Sequence, residues 1–349
     1  MEIFWICISC LILFLALVVL LTHRIVKKRF PRVSYPDHAI PEMLYADYKD
    51  RCSRTSVSFL SGKNRLQGYI YPAKEPKGLI LFAHGIGVGH EYYLRDILWM
   101  VEHGWTVLAY DATGSCESEG DGTRGLVQSA LDVDAALTYI ESQKELSRLP
   151  VCLMGHSWGG YAVTAGLWFS HAVTASASIC GYAHPLEMMI EFARAYIGKG
   201  LALLAPFVWL EQKITFGKYA SLSAPDGINR ADVPVLLIHA TEDEVISLDG
   251  ASIVAHAKEI KSKHTEIFLS DQKGQTGHGS IFRHKESVSY IESVDREFEA
   301  LSSAHGGKPS KEVREAFFGS IDKERYNRPN EELLSVIDAF FEGAIKARS

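Results

Sequence analysis

Short apolar segments alternate with stretches of helical periodicity past Pro36, and this alternation restricts the fold more than any other feature of the chain. Between two apolar segments, Leu126, Ala130, Val133 and Leu137 recur at the spacing of one helix face. Apolar strands that alternate with helices form a mostly parallel sheet covered on both faces. The sequence therefore predicts an α/β fold with a further helix over 251–259. The predicted strands are an initial hairpin at 57–60 and 66–71, then 78–83, 106–110, 151–154, 173–179, 235–239 and 265–269.

The composition excludes several classes of protein. The 349 residues are 47% hydrophobic and 22% charged, which is too apolar for a disordered chain. The net charge of −6 argues against a nucleic-acid-binding protein, which needs a basic face. Six cysteines do not make a disulfide scaffold at this length, and neither a paired CxxC nor an HExxH motif is present. We therefore expect no metal, no cofactor and no nucleic-acid partner.

The N-terminal residues differ from the rest of the chain. Residues 3–21 carry no charge, and as a helix they span about 28 Å, close to the hydrocarbon thickness of a bilayer. A buried helix and a cleaved signal peptide are the alternatives. Against the signal peptide, Glu2 precedes the run and no small-residue cleavage site follows it. We predict a transmembrane anchor at 3–22 and a basic juxtamembrane linker at 23–54.

The charges beside this run predict its orientation. The chain before the run has no Lys or Arg, and five basic residues follow it: Arg24, Lys27, Lys28, Arg29 and Arg32. The positive-inside rule then predicts a single-pass membrane protein whose globular part is cytoplasmic.

One long segment interrupts the alternation. Residues 185–216 form a nearly continuous helical stretch rich in Met and aromatic residues, and about thirty residues are too many for an ordinary crossover helix, which is the alternative. We predict a helical cap at 185–228 within a globular domain at 55–349. The charged chain at 302–329 predicts a surface excursion, and a last helix is predicted at 331–345 with Asn330 as its N-cap.

The most specific motif is GHSWGG at 155–160, directly after a predicted strand and before a predicted helix. It matches the G-x-S-x-G pattern in which a serine lies on a strained turn. A side chain at Gly155 or Gly159 would collide with the neighbouring strand or helix. The motif indicates that Ser157 is a nucleophile, against the alternative of a glycine-rich turn without chemistry.

A serine nucleophile needs a base and an acid, which in this arrangement follow it in the order Ser, acid, His. His278 lies between two glycines just past the last predicted strand, and His264 and His284 are its competitors. Asp243 follows the strand before, and Glu242 is the second candidate for the acid. With Glu244 beside them, a solvated acidic turn without a catalytic role is the other alternative. We predict Asp243 as the acid and His278 as the base.

The glycine-rich loop HGIGVGH at 84–90 allows two interpretations. A dinucleotide site needs an acidic residue at the next strand end, and Asp111 is there. A phosphate-binding P-loop is excluded, because no Lys-Ser/Thr follows the glycines. If Ser157 is a nucleophile, an oxyanion hole is a better interpretation of this loop than a dinucleotide site. The backbone N–H of Ile86 and that of Trp158 would then form an oxyanion hole.

Together, HGIGVGH, the DATGS segment after the next strand, GHSWGG, HATEDEV and TGHG resemble the α/β-hydrolase superfamily. More narrowly, they are similar to the branch of the monoglyceride lipases and serine aminopeptidases. The resemblance covers roughly 55–345. It implies an eight-stranded, mostly parallel sheet, a cap inserted before the acid's strand, and Ser157, Asp243 and His278 as catalytic triad.

These observations predict a serine hydrolase that cleaves carboxylic esters. The apolar cap and the anchor suggest a small-molecule substrate with a lipophilic acyl chain. One alternative is a serine peptidase of the aminopeptidase type, which needs an acidic cluster for the substrate amine, whereas Glu187, Glu191 and Glu211 in the cap are few and scattered. The other is a non-catalytic, membrane-tethered binding module on a hydrolase scaffold.

Overall fold

The computed structural model describes residues 1–197 and 205–348. Within them, eight strands form one sheet of order β1-β2-β4-β3-β5-β6-β7-β8. The strands are β1 (Thr55–Ser61), β2 (Asn64–Tyr71), β3 (Gly78–Ala83), β4 (Trp105–Tyr110), β5 (Val151–His156), β6 (Ala175–Ile179), β7 (Val235–Ala240) and β8 (Thr265–Ser270). The hairpin β1–β2 and the pair β2–β4 are antiparallel, and all other neighbours are parallel. The predicted eight-stranded, mostly parallel sheet is confirmed.

Helices cover both faces of the sheet. They are α1 (Glu2–Arg29), α2 (Tyr45–Tyr48), α3 (Leu94–Glu102), α4 (Gln128–Ser142), α5 (Trp158–Ala165), α6 (Pro185–Ile197), α7 (Ala205–Phe216), α8 (Ala224–Ala231), α9 (Lys285–Ala304), α10 (Lys311–Ser320), α11 (Lys323–Tyr326) and α12 (Glu331–Lys346). Alternate residues of β3 enter two different cores: Leu79 and Leu81 pack with α4, α5 and α8, and Ile80 and Phe82 pack with α3 and α12. All six residues of β3, β4, β5 and β7 are buried, as central parallel strands require.

The helix α1 is the candidate membrane span. Its most apolar window of 18 residues has a mean hydropathy of 3.1, and none of that window is buried. By length and composition it fits a membrane span, and a signal sequence near an N-terminus fits the same criteria. Its C-terminal end packs on α7, where His23 Nδ1 lies 3.0 Å from Glu211 Oε1 and where Val26 is buried.

The segment after α1 is bound to the domain over 31–35. The Arg32 guanidinium donates hydrogen bonds to the carbonyl oxygens of Cys116, Ser118 and Gly120, in the loop after β4. The Tyr35 hydroxyl donates to Asp111 Oδ1 at 3.1 Å. The first part of the predicted linker is therefore in contact with the loop that follows β4.

The predicted cap region contains α6, α7 and most of α8, while its residues 198–204 lie outside the described residues. Glu191 of α6 accepts hydrogen bonds from the amides of Ser247 and Ala251 at 3.3 and 2.9 Å. These contacts join the cap to the connection between β7 and β8.

The predicted helix at 251–259 is wrong, since only Ala257–Glu259 forms a single 3₁₀ turn. The reason is that its backbone pairs elsewhere. Ala251 O accepts from the amide of Ala183, the amide of Ile253 donates to Gly181 O, and Ser252 forms an isolated bridge with Tyr182. Periodicity within 251–259 cannot reveal a partner segment some seventy residues earlier in the chain.

The segment 302–329 contains the end of α9, then α10 and α11, and most of its residues are exposed, as predicted. Phe318 and Tyr326 are nevertheless buried, and the Asn327 side chain donates to Pro41 O at 2.9 Å. This part of the chain therefore supports the segment before β1.

Candidate active site

Ser157 occupies a strained turn at the carboxyl end of β5. It has φ of 57° and ψ of −115°, a conformation that a residue with a side chain rarely adopts. Its amide donates to Ile179 O at 2.8 Å, at the end of the neighbouring β6, and α5 begins at the next residue. The turn thus places the hydroxyl-bearing residue between a buried strand and a helix N-terminus.

The glycines around Ser157 are required by close backbone contacts. A Cβ at Gly159 would lie 2.0 Å from the carbonyl oxygen of Ala83, in the adjacent strand β3. A Cβ at Gly155 would lie 2.3 Å from the carbonyl oxygen of Gly159. The collisions expected at both positions are therefore present, and neither position tolerates a side chain without movement of the backbone.

Asp243 and His278, in the loops that follow β7 and β8, form a hydrogen-bonded pair. His278 Nδ1 lies 2.8 Å from Asp243 Oδ2 and 3.0 Å from Oδ1. The amides of Val245 and Ile246 also donate to Asp243 Oδ1, at 2.9 and 2.8 Å. Burial alone raises the pKa of Asp243, but the hydrogen bonds from His278 and these amides outweigh burial and lower that pKa below its usual value. The carboxylate is therefore held ionised and aimed at the imidazole.

Ser157 lies near this pair without a direct bond to it. Within the described residues, the Ser157 hydroxyl makes no hydrogen bond to His278. The contact between nucleophile and base is frequently long in a site without substrate. The structure thus joins the predicted acid to the predicted base.

The two predicted oxyanion donors are unbonded amides. In the chain as described, neither the amide of Ile86 nor that of Trp158 donates to another residue. Trp158 is the first residue of α5, so its N–H has no partner within the helix. Amides of this kind at a helix N-terminus stabilise negative charge.

A chain of hydrogen bonds, which sequence reasoning missed, connects the glycine-rich loop to the loop of His278. The amide of Gly85 donates to the Tyr93 hydroxyl at 3.3 Å, and that hydroxyl lies 2.8 Å from His156 Nδ1. His156 Nε2 lies 3.1 Å from the carbonyl oxygen of His278. Since an amide only donates and a carbonyl only accepts, Tyr93 donates to Nδ1 and His156 donates through Nε2.

His156 is neutral in this chain. Burial first, and the neighbouring His278 second, lower the pKa of His156 well below its ordinary value. In the sequence, the signal for the hydrogen bonds of His156 is its position directly before the predicted nucleophile Ser157, which does not reveal its partners.

Cys180 is a second residue that the sequence did not indicate. It follows β6 with φ of 49°, it is buried, and burial together with the charge of Asp243 raises the pKa of its thiol well above the ordinary value. Ligand atoms of Cys180, His156 and His278 lie within 4.8 Å of one another, a spacing that could hold a metal ion. A metal there would bind His278, the predicted base, so we assign no metal-binding role to the group.

The competing residues have other contacts. Glu242 is exposed and accepts a hydrogen bond from the Thr276 hydroxyl, and Glu244 accepts from the backbone amide of His278 at 3.0 Å. His264 is exposed before β8, and the His284 side chain caps α9 by accepting from the amide of Glu286.

The residues that bound the glycine-rich loop are structural. His84 Nε2 accepts from the amide of Ala112 at 2.9 Å. His90 is fully buried and its Nδ1 donates to Asp111 Oδ1 at 2.8 Å. The dinucleotide interpretation would need Asp111 to bind a ribose, but this carboxylate already accepts hydrogen bonds from His90 and Tyr35.

The fold is the α/β-hydrolase fold, as the sequence resemblance predicted. Residues 74–226 match the sequence model of the Hydrolase_4 family, described as serine aminopeptidase, S33. No curated protein sequence matches the chain.

Solved structures share the fold at low identity. An esterase from Pyrococcus furiosus has 17% identity and a TM-score of 0.53, over 79% of this chain and 97% of that one. An acylaminoacyl peptidase from Pyrococcus horikoshii has 20% identity and a TM-score of 0.50, over 67% of this chain and 39% of that one. Est1E from Butyrivibrio proteoclasticus, bound to ferulic acid, has 17% identity and a TM-score of 0.50, over 71% and 99%.

Proposed function

We propose that this chain is a serine hydrolase that cleaves carboxylic esters with Ser157, His278 and Asp243 as its triad. The observation that carries the proposal is the combination of a strained serine at the end of β5 with a hydrogen-bonded Asp243–His278 pair at the ends of β7 and β8. Strain at an isolated buried turn is costly and is characteristic of active sites. A carboxylate bonded to imidazole Nδ1 is the arrangement that prepares Nε2 to accept a proton.

In the first half of the proposed reaction, Ser157 Oγ attacks the acyl carbonyl carbon while His278 Nε2 accepts the hydroxyl proton. Asp243 keeps the proton of the imidazole on Nδ1 and stabilises the imidazolium that forms. The amides of Ile86 and Trp158 donate to the oxygen that becomes negative. His278 then returns the proton to the leaving alcohol, and the C–O bond of the ester breaks.

In the second half, water attacks the acyl-enzyme. His278 accepts a proton from the water, and the new C–O bond forms at the acyl carbon. When the tetrahedral intermediate collapses, the bond to Ser157 Oγ breaks and His278 returns the proton to that oxygen. The products are a carboxylic acid and the free enzyme, so no further reactant is needed.

Peptide hydrolysis is the second candidate, because the matching family model is described as a serine aminopeptidase. An aminopeptidase needs free carboxylates for a substrate amine, and the three cap carboxylates already have partners. Glu187 pairs with His256, Glu191 binds backbone amides, and Glu211 lies against His23. Because all three carboxylates already have partners, their contacts support an ester substrate rather than a peptide.

We further propose the arrangement of the whole chain. Residues 3–22 anchor it in a membrane, 23–54 join the anchor to the domain, and 55–349 form the cytoplasmic catalytic domain with its cap at 185–228. The apolar α1, the basic residues that follow it and the contact of α1 with the cap helix α7 support this arrangement. A substrate with a lipophilic acyl chain would then be present in the same membrane.

The test is a panel of nitrophenyl esters of increasing acyl length beside an aminoacyl anilide, with the purified full chain. Hydrolysis of the esters with little turnover of the anilide supports the proposal. Faster turnover of the anilide would assign the chain as a peptidase, and no turnover of either class would favour a binding module. Ser157→Ala serves as the matched control for contaminating hydrolases.

A further inference from the structure

A cluster of two histidines and one glutamate lies outside the active site, at the edge of the cap. His184 lies in the loop between β6 and α6, and His256 and Glu259 lie in the connection between β7 and β8. The isolated bridge between Tyr182 and Ser252 holds these two segments side by side. The three side chains therefore meet because of a fixed backbone contact, although 72 positions separate the first two in sequence.

Glu259 stands between the two imidazoles. Its Oε2 lies 3.0 Å from His184 Nε2, and its Oε1 lies 2.7 Å from His256 Nδ1. One ligand atom from each residue lies within 4.8 Å of the other two. Around a tetrahedral zinc ion with bonds of about 2.1 Å, ligand atoms are separated by about 3.4 Å. Small side-chain shifts would bring the three atoms to that spacing.

The cluster is accessible to an ion and retains space for water. The side chains of His184, His256 and Glu259 are 32%, 19% and 46% exposed. The second nitrogen of His256 lies 2.9 Å from Glu187 Oε2, which is the outer carboxylate that typically orients a metal-binding imidazole. Two imidazoles and one carboxylate are a donor set that suits Zn²⁺ among divalent ions.

We propose that His184, His256 and Glu259 bind one Zn²⁺ ion, with water as the remaining ligand and Glu187 as the outer partner of His256. The ion ties the start of α6 to the connection between β7 and β8. The same connection is held by Glu191 of α6, so the ion adds a second link between cap and domain. This proposal concerns binding and does not depend on the hydrolase activity.

The experiment measures Zn²⁺ binding to the chelator-treated full chain in detergent micelles by calorimetry, with melting temperature as a second readout. We expect one ion per chain and a melting temperature that rises with free Zn²⁺, because an ion bound only by the folded state stabilises it. Co²⁺ in place of Zn²⁺ is expected to give a visible absorption band that reports its ligands.

Variants separate this cluster from other sites. His184→Gln and Glu259→Gln are each expected to weaken binding more than about a hundredfold, and Glu187→Gln by about ten- to a hundredfold. His305→Gln, at an exposed histidine directly after α9, and Cys180→Ala, at the group near the predicted catalytic base, are expected to leave binding unchanged. Circular dichroism without metal checks that each variant is folded.

Three results would overturn the proposal. They are no binding to the full chain, binding that His184→Gln leaves intact, and binding that Cys180→Ala alone removes. In the first case the three side chains only contact one another, and in the last case the ion occupies the proposed active site.

Discussion

At the scale of single residues, the acidic loop 242–244 tests the assignment of the triad most finely. Asp243→Asn keeps the shape of the side chain but removes the charge that fixes the His278 tautomer, so we expect kcat to fall on the order of ten-thousandfold. Glu242→Gln and Glu244→Gln are expected to cost less than about tenfold, since both carboxylates are exposed and an amide oxygen still accepts. Steady-state kinetics on one soluble ester checks all three. If Glu242→Gln is the crippling change and Asp243→Asn is mild, the acid must be reassigned.

The buried carboxyl of Asp96, on α3, is expected to make the stability of the folded chain depend on pH. Burial raises the pKa of this carboxyl to about 7, and its Oδ1 is buried without a partner in the described structure. The unfolded carboxyl titrates near 3.9, so the folded chain binds the extra proton between these values. The contribution of Asp96 to stability is therefore full below about pH 4 and is lost as the pH rises to about 7.

We expect Asp96→Asn to become progressively more stabilising, relative to the unmodified chain, from about pH 4 to pH 7. The difference in free energy of unfolding should grow by roughly 1.4 kcal/mol per pH unit, to on the order of 4 kcal/mol, and then stay constant. Urea unfolding of both proteins across this range measures it. Glu102→Gln, at an exposed position of the same helix, is the control, and a difference independent of pH would contradict the role of Asp96.

At the scale of elements, the segment 31–35 connects α1 to the loop that follows β4. Deletion of residues 1–28 keeps Arg32 and Tyr35 with their hydrogen bonds, so we expect a folded domain that is active on soluble esters. Deletion of residues 1–36 removes those bonds and leaves Asp111 without one donor. We expect the free energy of unfolding of the longer deletion to be at least about 3 kcal/mol lower than that of the shorter one. Each hydrogen bond lost contributes about 1 kcal/mol or more.

Denaturant unfolding of both deletions measures this difference. Tyr35→Phe in the full chain isolates one hydroxyl and is expected to cost about 1 kcal/mol. Equal stability of the two deletions would mean that the segment after α1 contributes nothing to the domain.

Sequence patterns predicted the elements whose signals are local. Three predicted features depend only on neighbouring residues: the initial hairpin, the apolar central strands and the Asn330 N-cap, which accepts from the amide of Leu333 at 3.2 Å. The glycines of the serine turn were predictable for the same reason. The helix predicted at 251–259 is absent from the structure because backbone groups of this segment form hydrogen bonds with residues 181–183 instead.

For the candidate site, sequence order indicated Ser157, Asp243 and His278, because each follows a strand of the same sheet edge. It could not indicate Tyr93 and Cys180, whose contacts with the site join segments that only the fold brings together. The cluster of His184, His256 and Glu259 could not be predicted from the sequence for the same reason.

At the scale of the whole molecule, the proposed membrane anchor is expected to determine which substrates the proposed active site meets. On a soluble ester, the full chain in vesicles and the 1–28 deletion should have kcat/KM values within about threefold, because the proposed triad residues all lie in the domain. On an ester carried in the same vesicles, the deletion should be at least about tenfold slower, since tethering raises the effective substrate concentration. Equal rates on the vesicle-borne ester would exclude this role of the anchor.

The central claim is that Ser157 is an activated nucleophile, and covalent labelling tests it most directly. A fluorophosphonate reacts with a serine whose proton is removed by a nearby base, so the full chain should bind one probe, located by mass spectrometry on the peptide that contains Ser157. Ser157→Ala should lose the label and more than about a thousandfold of ester hydrolysis, while its melting temperature stays near that of the unmodified chain. Label on another residue, or hydrolysis within about tenfold of the unmodified rate in Ser157→Ala, would contradict the account.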